Sequence, residues 1–405
     1  MIYTSDVPAN ARQMASNPLI TTLWKAWLAA VLLFSLPPLT NGQTSPPSAT
    51  ASQAIALQQQ GKLDEAAQAW IAVTRSDPHD AGAFASLGVV LARQQKYPEA
   101  ASAYREALAL NPQLPGVELN LGLCEFKRGD FHAAATALQK ALAADPASAQ
   151  ARTVLGLSYY GSKQFALAAQ YLEPAARADP ENTELHRTLA QSCLSAKEYS
   201  CALEEFRGIV ERTPNSVAAH VLTAEALDGL GKTAEAVAEF ETAAKIAPKE
   251  PNIHFGLGYL HWKSHEYNEA KSAFEQELAL DPNHAQALAY LGDIAQKSNR
   301  PDEALPLLRR ALKANPDLRI VEMDLAAIYM QQKRYKEAQA ALLRAIALDS
   351  ALPDAHYQLG RLYHALGNDA DAEKEFTQVR QLHQKEDESL AGKMPASTAT
   401  SPPVQ

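Results

Sequence analysis

The sequence predicts an all-α protein, an α-solenoid of about ten 34-residue helix-turn-helix repeats. Two observations predict it. Prolines stand 34 residues apart at Pro78, Pro112, Pro146, Pro180, Pro214, Pro248, Pro282 and Pro316, and that period is the length of a two-helix unit copied along a chain. With repeat starts set at Pro47, Ala81, Pro115, Ala149, Thr183, Val217, Pro251, Ala285, Arg319 and Pro353, position 20 is alanine in every copy, from Ala66 and Ala100 to Ala338 and Ala372. The proline ladder stops at Pro316, yet Ser350 and Gln384 stand in its register while the alanines continue, so eight prolines mark ten repeats over residues 47–386.

Within a unit, apolar residues at positions 7, 8 and 11 and again at 20, 24 and 27 follow the spacing of two helical stripes. Position 8 is small throughout, glycine at Gly88, Gly122, Gly156, Gly258, Gly292 and Gly360 and alanine elsewhere. Position 24 is large, as in Trp70, Tyr104, Leu138, Phe206 and Phe274. The small residues at 8 and 20 are expected to mark the close approach of the two helices. Breaks such as 94–100 and 127–131 supply the turns. Pro98 and Pro301 suit the start of second helices, and Pro115, Pro251 and Pro353 the start of first helices, where a missing N–H does no harm. Asn111-Pro112 and Asp281-Pro282 close units, because proline pushes the preceding residue out of helical geometry.

This pattern resembles the tetratricopeptide repeat family over about residues 47–386. The resemblance implies a right-handed superhelix of helix pairs, first helices lining a concave groove and second helices forming the back. Some positions depart from the family. Position 4 holds His186, His220, His254 and His356, Glu277 replaces a small residue at position 27, and Pro174 and Pro306 fall inside second helices, which they should bend.

The ends differ from the array. Arg12 and Lys25 precede an apolar run from Ala26 to Leu36, followed by Pro37-Pro38 and small residues at Thr40-Asn41-Gly42. Such a run has the length of an export signal's apolar segment. Residues 1–42 are expected to be a signal peptide or, uncleaved, an anchor through residues 18–39; Met14 offers a second start. Residues 43–49 read as a linker. The last helix is expected to end near Glu386, and residues 387–405 are too poor in large apolar side chains to fold. Export to the periplasm or exterior, or tethering at the inner membrane, places the three cysteines in an oxidising compartment. Cys193 and Cys201 share a repeat, which allows a local disulfide; the alternative is two small buried apolar residues.

The composition points away from polyanion binding. Of 405 residues, 20% are charged, the net charge is −9 and no basic block stands out, so nucleic acid is not expected as a partner. No phosphate loop, nucleophile elbow or His-Glu-x-x-His pair is present, and no enzyme activity or cofactor is expected. His261 and His265 have a metal-pair spacing, but His265 falls in a turn and no third ligand follows, so no metal is expected. The expected function is a non-catalytic scaffold holding a peptide or protein segment, with a membrane-anchored assembly factor for an envelope or secretion complex as the alternative; an enzyme with an unrecognised active site is the weaker one. Mapped from the family, the groove candidates are Phe126, Tyr160, Arg187, Phe255, Tyr259 and Trp262, with Tyr290 nearby at position 6 of repeat eight. Large apolar groups on such a face usually meet a partner, although positions 5, 9 and 12 can instead tuck against a neighbouring helix. The Lys and Asn clamp that some family members use for chaperone C-termini is absent. Arg93, Lys127, Lys263 and Lys297 share position 13, where a cation offsets the helix dipole.

Overall fold

The computed structural model describes residues 49–391. They form twenty α-helices in ten hairpins, and no strand occurs among the described residues. The chain divides into two compact units between Pro214 and Asn215. The first holds α1 (Ala49–Gln59) with α2 (Leu63–Ser76), α3 (Ala81–Arg93) with α4 (Tyr97–Leu110), α5 (Val117–Arg128) with α6 (Phe131–Ala144), α7 (Ala149–Gly161) with α8 (Phe165–Ala178), and α9 (Thr183–Ser195) with α10 (Tyr199–Arg212). The second holds α11 (Val217–Gly229) with α12 (Thr233–Ile246), α13 (Ile253–Lys263) with α14 (Tyr267–Leu280), α15 (Ala285–Lys297) with α16 (Pro301–Ala314), α17 (Arg319–Gln331) with α18 (Tyr335–Leu348), and α19 (Pro353–Ala365) with α20 (Asp369–Ala391). Within a unit each second helix packs on the next first helix. The first helices α3, α5, α7 and α9 also touch in succession, as do α13, α15 and α17, so each set forms one continuous face.

The hairpin joint is tighter than its small residues alone suggest, and it has a different partner. A Cβ added at Gly88 would lie 2.6 Å from the Tyr104 ring, one at Gly122 2.5 Å from Leu138, one at Gly258 2.6 Å from Phe274 and one at Gly292 2.4 Å from Leu308. Position 8 therefore receives the large side chain at position 24, where the expectation paired it with position 20. The position-20 alanines are themselves fully buried, Ala372 nearly so.

The turn within each hairpin uses one device. Position 15 has a positive φ in all ten repeats, between 55° and 80°. Glycine occupies it four times (Gly61, Gly129, Gly231, Gly367), and Gln95, Lys163, Lys197, His265, Asn299 and Lys333 fill the rest. The left-handed residue lets the next amide turn back on the helix: Lys96 N–H reaches the Leu91 carbonyl at 2.9 Å and Arg334 N–H the Tyr329 carbonyl at 2.8 Å. This pairing satisfies carbonyls that the helix end would otherwise leave open.

First helices begin on side-chain caps at Asp80, Ser148, Asn182 and Ser216, which satisfy free amides of the first turn. Two helices open later than their prolines suggest. Gly116 and Asn252 follow Pro115 and Pro251 with φ near 70°, so α5 and α13 start at Val117 and Ile253. Glu277, the departure at position 27, is fully buried and caps α13. Its carboxylate accepts from the Asn252 amide at 2.8 Å and the Phe255 amide at 3.1 Å. Helices α8 and α16 run without interruption through Pro174 and Pro306.

Three of the four histidines at position 4 pair with a glutamate, while His254 lies against the Pro248 carbonyl. Nδ1 of His186, His220 and His356 lies 2.5–2.6 Å from a carboxylate oxygen of Glu205, Glu239 and Glu375, each on the second helix of the same hairpin. The expected end at Glu386 is corrected: α20 runs to Ala391. Its extra turn contains no proline or glycine, and Gln384 Nε2 donates to Glu388 Oε1 at 2.9 Å. The signal segment, most of the linker and residues 392–405 lie outside the described residues.

Candidate functional site

The sequence-derived groove residues separate into three that face the core and four that are partly buried. Phe126 is 5% exposed and packs edge-on against Phe131 at 5.6 Å. Phe255 and Tyr290 are also buried. These three do not line an open face, which corrects the expectation: first helices touch one another, so positions 5, 6 and 12 can fill the seam between them. Tyr160 is partly buried, and its hydroxyl donates to Gln191 Oε1 at 2.8 Å. Arg187 pairs with Glu184 on its own helix at 3.2 Å.

The remaining candidates come together in the second unit. Phe255 stacks on His284 at 5.0 Å, Tyr290 lies parallel to Phe274 at 5.5 Å, and Trp262 meets Tyr290 edge-on at 4.8 Å. Tyr259 stacks on Trp262 at 6.1 Å. Phe255, Phe274 and Tyr290 are the inside of this cluster, while Tyr259 and Trp262 are its partly exposed rim. His284 holds the base. Burial pushes its pKa down, so the imidazole is neutral. Its Nδ1 accepts from the Ala287 amide at 3.1 Å and its Nε2 donates to Asn252 Oδ1 at 3.0 Å. A histidine thus caps α15 and ties it to the start of α13.

Beside the rings stand acids that the sequence reading passed over. Asp293 on α15 is 3% exposed. Its Oδ2 accepts from Trp262 Nε1 at 2.5 Å and from Lys297 Nζ at 2.8 Å. The same ammonium sits 4.5 Å from the centre of the Trp262 ring, within cation–π range. Asp324 on α17 is 8% exposed, and its Oδ2 receives no hydrogen bond from a protein donor. Burial pushes the Asp324 carboxyl well above the usual range and the facing Asp293 adds to this, with Lys297 pulling the other way. The two carboxyls crowd one another, which disfavours the charged form of Asp324. On α11, burial pushes Glu225 up to about 7, with Asp228 contributing. Asp228 is bridged by Lys263 at 2.7 Å. Two of the position-13 cations are thus paired to acids on this face.

Of the two histidines with metal-pair spacing, His261 pairs with Glu266 at 2.6 Å, while His265 contacts the Tyr267 hydroxyl. Cys193 and Cys201 are joined by a disulfide, with Cα atoms 5.8 Å apart. Glu198 lies beside them, but sulfurs bonded to each other offer no thiolate to a metal. Cys124 is buried, and burial pushes its thiol up to about 12, which makes it a packing residue rather than a reactive one.

Models of the tetratricopeptide repeat match residues 52–115 and 255–319, 87–155, 159–226 and 217–250, and further ones match 326–367 and 354–385. The chain belongs to the tetratricopeptide repeat family. A comparison with curated proteins finds no match. Among solved structures it is similar to the anaphase-promoting complex hetero-tetramer Cut9-Hcn1, with 15% identity, 82% of this chain and 80% of that one covered, and a TM-score of 0.49. It is also similar to yeast Tom70, at 15% identity over 85% and 93% with a TM-score of 0.41. YrrB, a repeat protein with an unusual peptide-binding site, gives 21% identity over 47% and 99% with a TM-score of 0.36. At such values the likeness says nothing about what this chain binds.

Proposed function

We propose that the chain is a non-catalytic interaction scaffold that binds a peptide or protein segment along the first helices of its second unit. The observation that carries this is the partly exposed Tyr259–Trp262 rim, set over a rigid aromatic core and next to buried charge. Rigid aromatic anchors beside desolvated polar groups supply much of the binding energy at protein interfaces. Partners captured from an extracytoplasmic extract should be lost on Trp262→Ala, with affinity falling roughly thirtyfold, a loss of about 2 kcal/mol. Full retention of every partner by Trp262→Ala and Tyr259→Ala would count against the proposal.

We infer also that the protein works outside the cytoplasm. The Cys193–Cys201 disulfide suits an oxidising compartment, as does the apolar run after Lys25. No helix among the described residues is long and apolar enough to cross a membrane; residues 18–39 lie outside them. N-terminal sequencing of the mature protein distinguishes a released scaffold, starting near Gln43, from one tethered by its leader.

A further inference from the structure

We infer that the Asp293–Asp324 pair beneath Trp262 is a recognition pocket for a basic side chain, preferentially arginine, of the bound segment, and that Lys297 occupies it in the empty protein. This rests on the scaffold reading and names what the first-helix face selects.

Three features on three successive first helices converge. Trp262 on α13 offers a ring face. Asp293 on α15 offers a carboxylate already oriented by the indole N–H at 2.5 Å. Asp324 on α17 offers an acceptor that is more than nine-tenths buried and lacks a donor. Lys297 shows what fits: its ammonium is held by the Trp262 face and by Asp293 together. Its side chain is 40% exposed, so it can swing into solvent and leave the position open. Two carboxyls crowd one position, and an incoming cation offsets that crowding. An ammonium at this point satisfies Asp293 and leaves Asp324 Oδ2 without a donor. A guanidinium is planar, carries five donors in a fork and stacks on aromatic faces, so it serves the ring and both acids at once. Nearby Glu225 and Asp228 extend acidic character along the same unit.

The test uses the full chain and a displayed library of twelve-residue peptides, followed by calorimetry on synthetic peptides. Enriched peptides are expected to share an arginine whose replacement by citrulline, a neutral isostere, weakens binding at least tenfold. Asp293→Asn should make the arginine and citrulline peptides bind alike, and Asp324→Leu should erase the preference for arginine over lysine. Lys297→Gln should tighten binding at least threefold. That variant alters an exposed side chain, so it stays informative if an aspartate variant fails to fold. Enriched peptides with no basic residue, or acidic peptides weakened by Lys297→Gln, would overturn the inference while leaving the scaffold standing. A library from which nothing is enriched also overturns it; partners lost on Trp262→Ala would then still support the scaffold alone.

Discussion

One buried acid in each unit makes a contrast, Glu125 in the first and Asp324 in the second. In the first, Glu125 is 1% exposed and bound by two guanidinium groups, Arg105 from the preceding second helix and Arg128 from its own helix at 2.6 Å. In the second, Asp324 is comparably buried, faces another acid and has no donor for Oδ2. Glu125 is the solution a structure adopts when a charge is to stay put, since a buried charge needs pairing and hydrogen bonds. Asp324 is left incomplete. The repeat joint is the same in both units, so the difference lies in side chains that the repeat does not dictate.

The largest expected effect tests the completed acid. The double change Arg105→Ala with Arg128→Ala leaves Glu125 buried without a cation and should lower stability by about 3–5 kcal/mol, read as a fall in the urea midpoint. Asp324→Asn removes a carboxyl that the fold already disfavours as an anion; its midpoint at pH 7 should stay within about 1 kcal/mol of the parent or rise. Equal losses in the two variants would erase the contrast.

A smaller effect concerns Glu225. Its folded pKa, about 7, lies above the ordinary value of 4.5. Between those values the folded state holds the proton more firmly than the unfolded chain, so stability falls as pH rises through the window and levels off above it. Glu225 is partly exposed, and on the order of 1–2 kcal/mol is expected. Glu225→Gln should remove this slope, so its melting temperature should exceed the parent's at pH 8 and match it at pH 5. Parallel curves would show that the proton on Glu225 contributes nothing to stability.

The smallest effect should be equal in the two units. Lys163→Gly and Lys333→Gly relieve a left-handed residue at φ 61° and 55°, and each should stabilise by about 0.5–1 kcal/mol. A gain in one unit only would show that the shared turn is supported differently in each.

Much of the fold was legible because it is periodic. Ala66 to Ala372 and Gly88 to Gly360 repeat, and repetition survives without knowing what each residue touches. The partner of Gly88 was not legible: a small residue says that something comes close, and only the packed helices show that it is the Tyr104 ring. Glu277 was visible as a departure, but its role as a cap depends on Asn252 turning to a positive φ. The site was half legible. Tyr259 and Trp262 stood out as large rings at groove positions. Asp293 and Asp324 did not, because they occupy positions 9 and 6 of different repeats and follow no period. Their proximity comes from the stacking of α15 on α17. Phe126 and Tyr290 misled for the same reason, since exposure at a seam depends on the neighbouring helix.

Lys297 on Trp262 has a consequence for selectivity. A tethered ammonium acts as its own competitor at an effective concentration on the order of millimolar. Dilute free cations, singly charged and making no other contact, do not outcompete it. A segment that adds backbone and ring contacts along the neighbouring helices does. The lysine thus sets a threshold: the face stays closed to scattered charge and opens to charge delivered on the right chain.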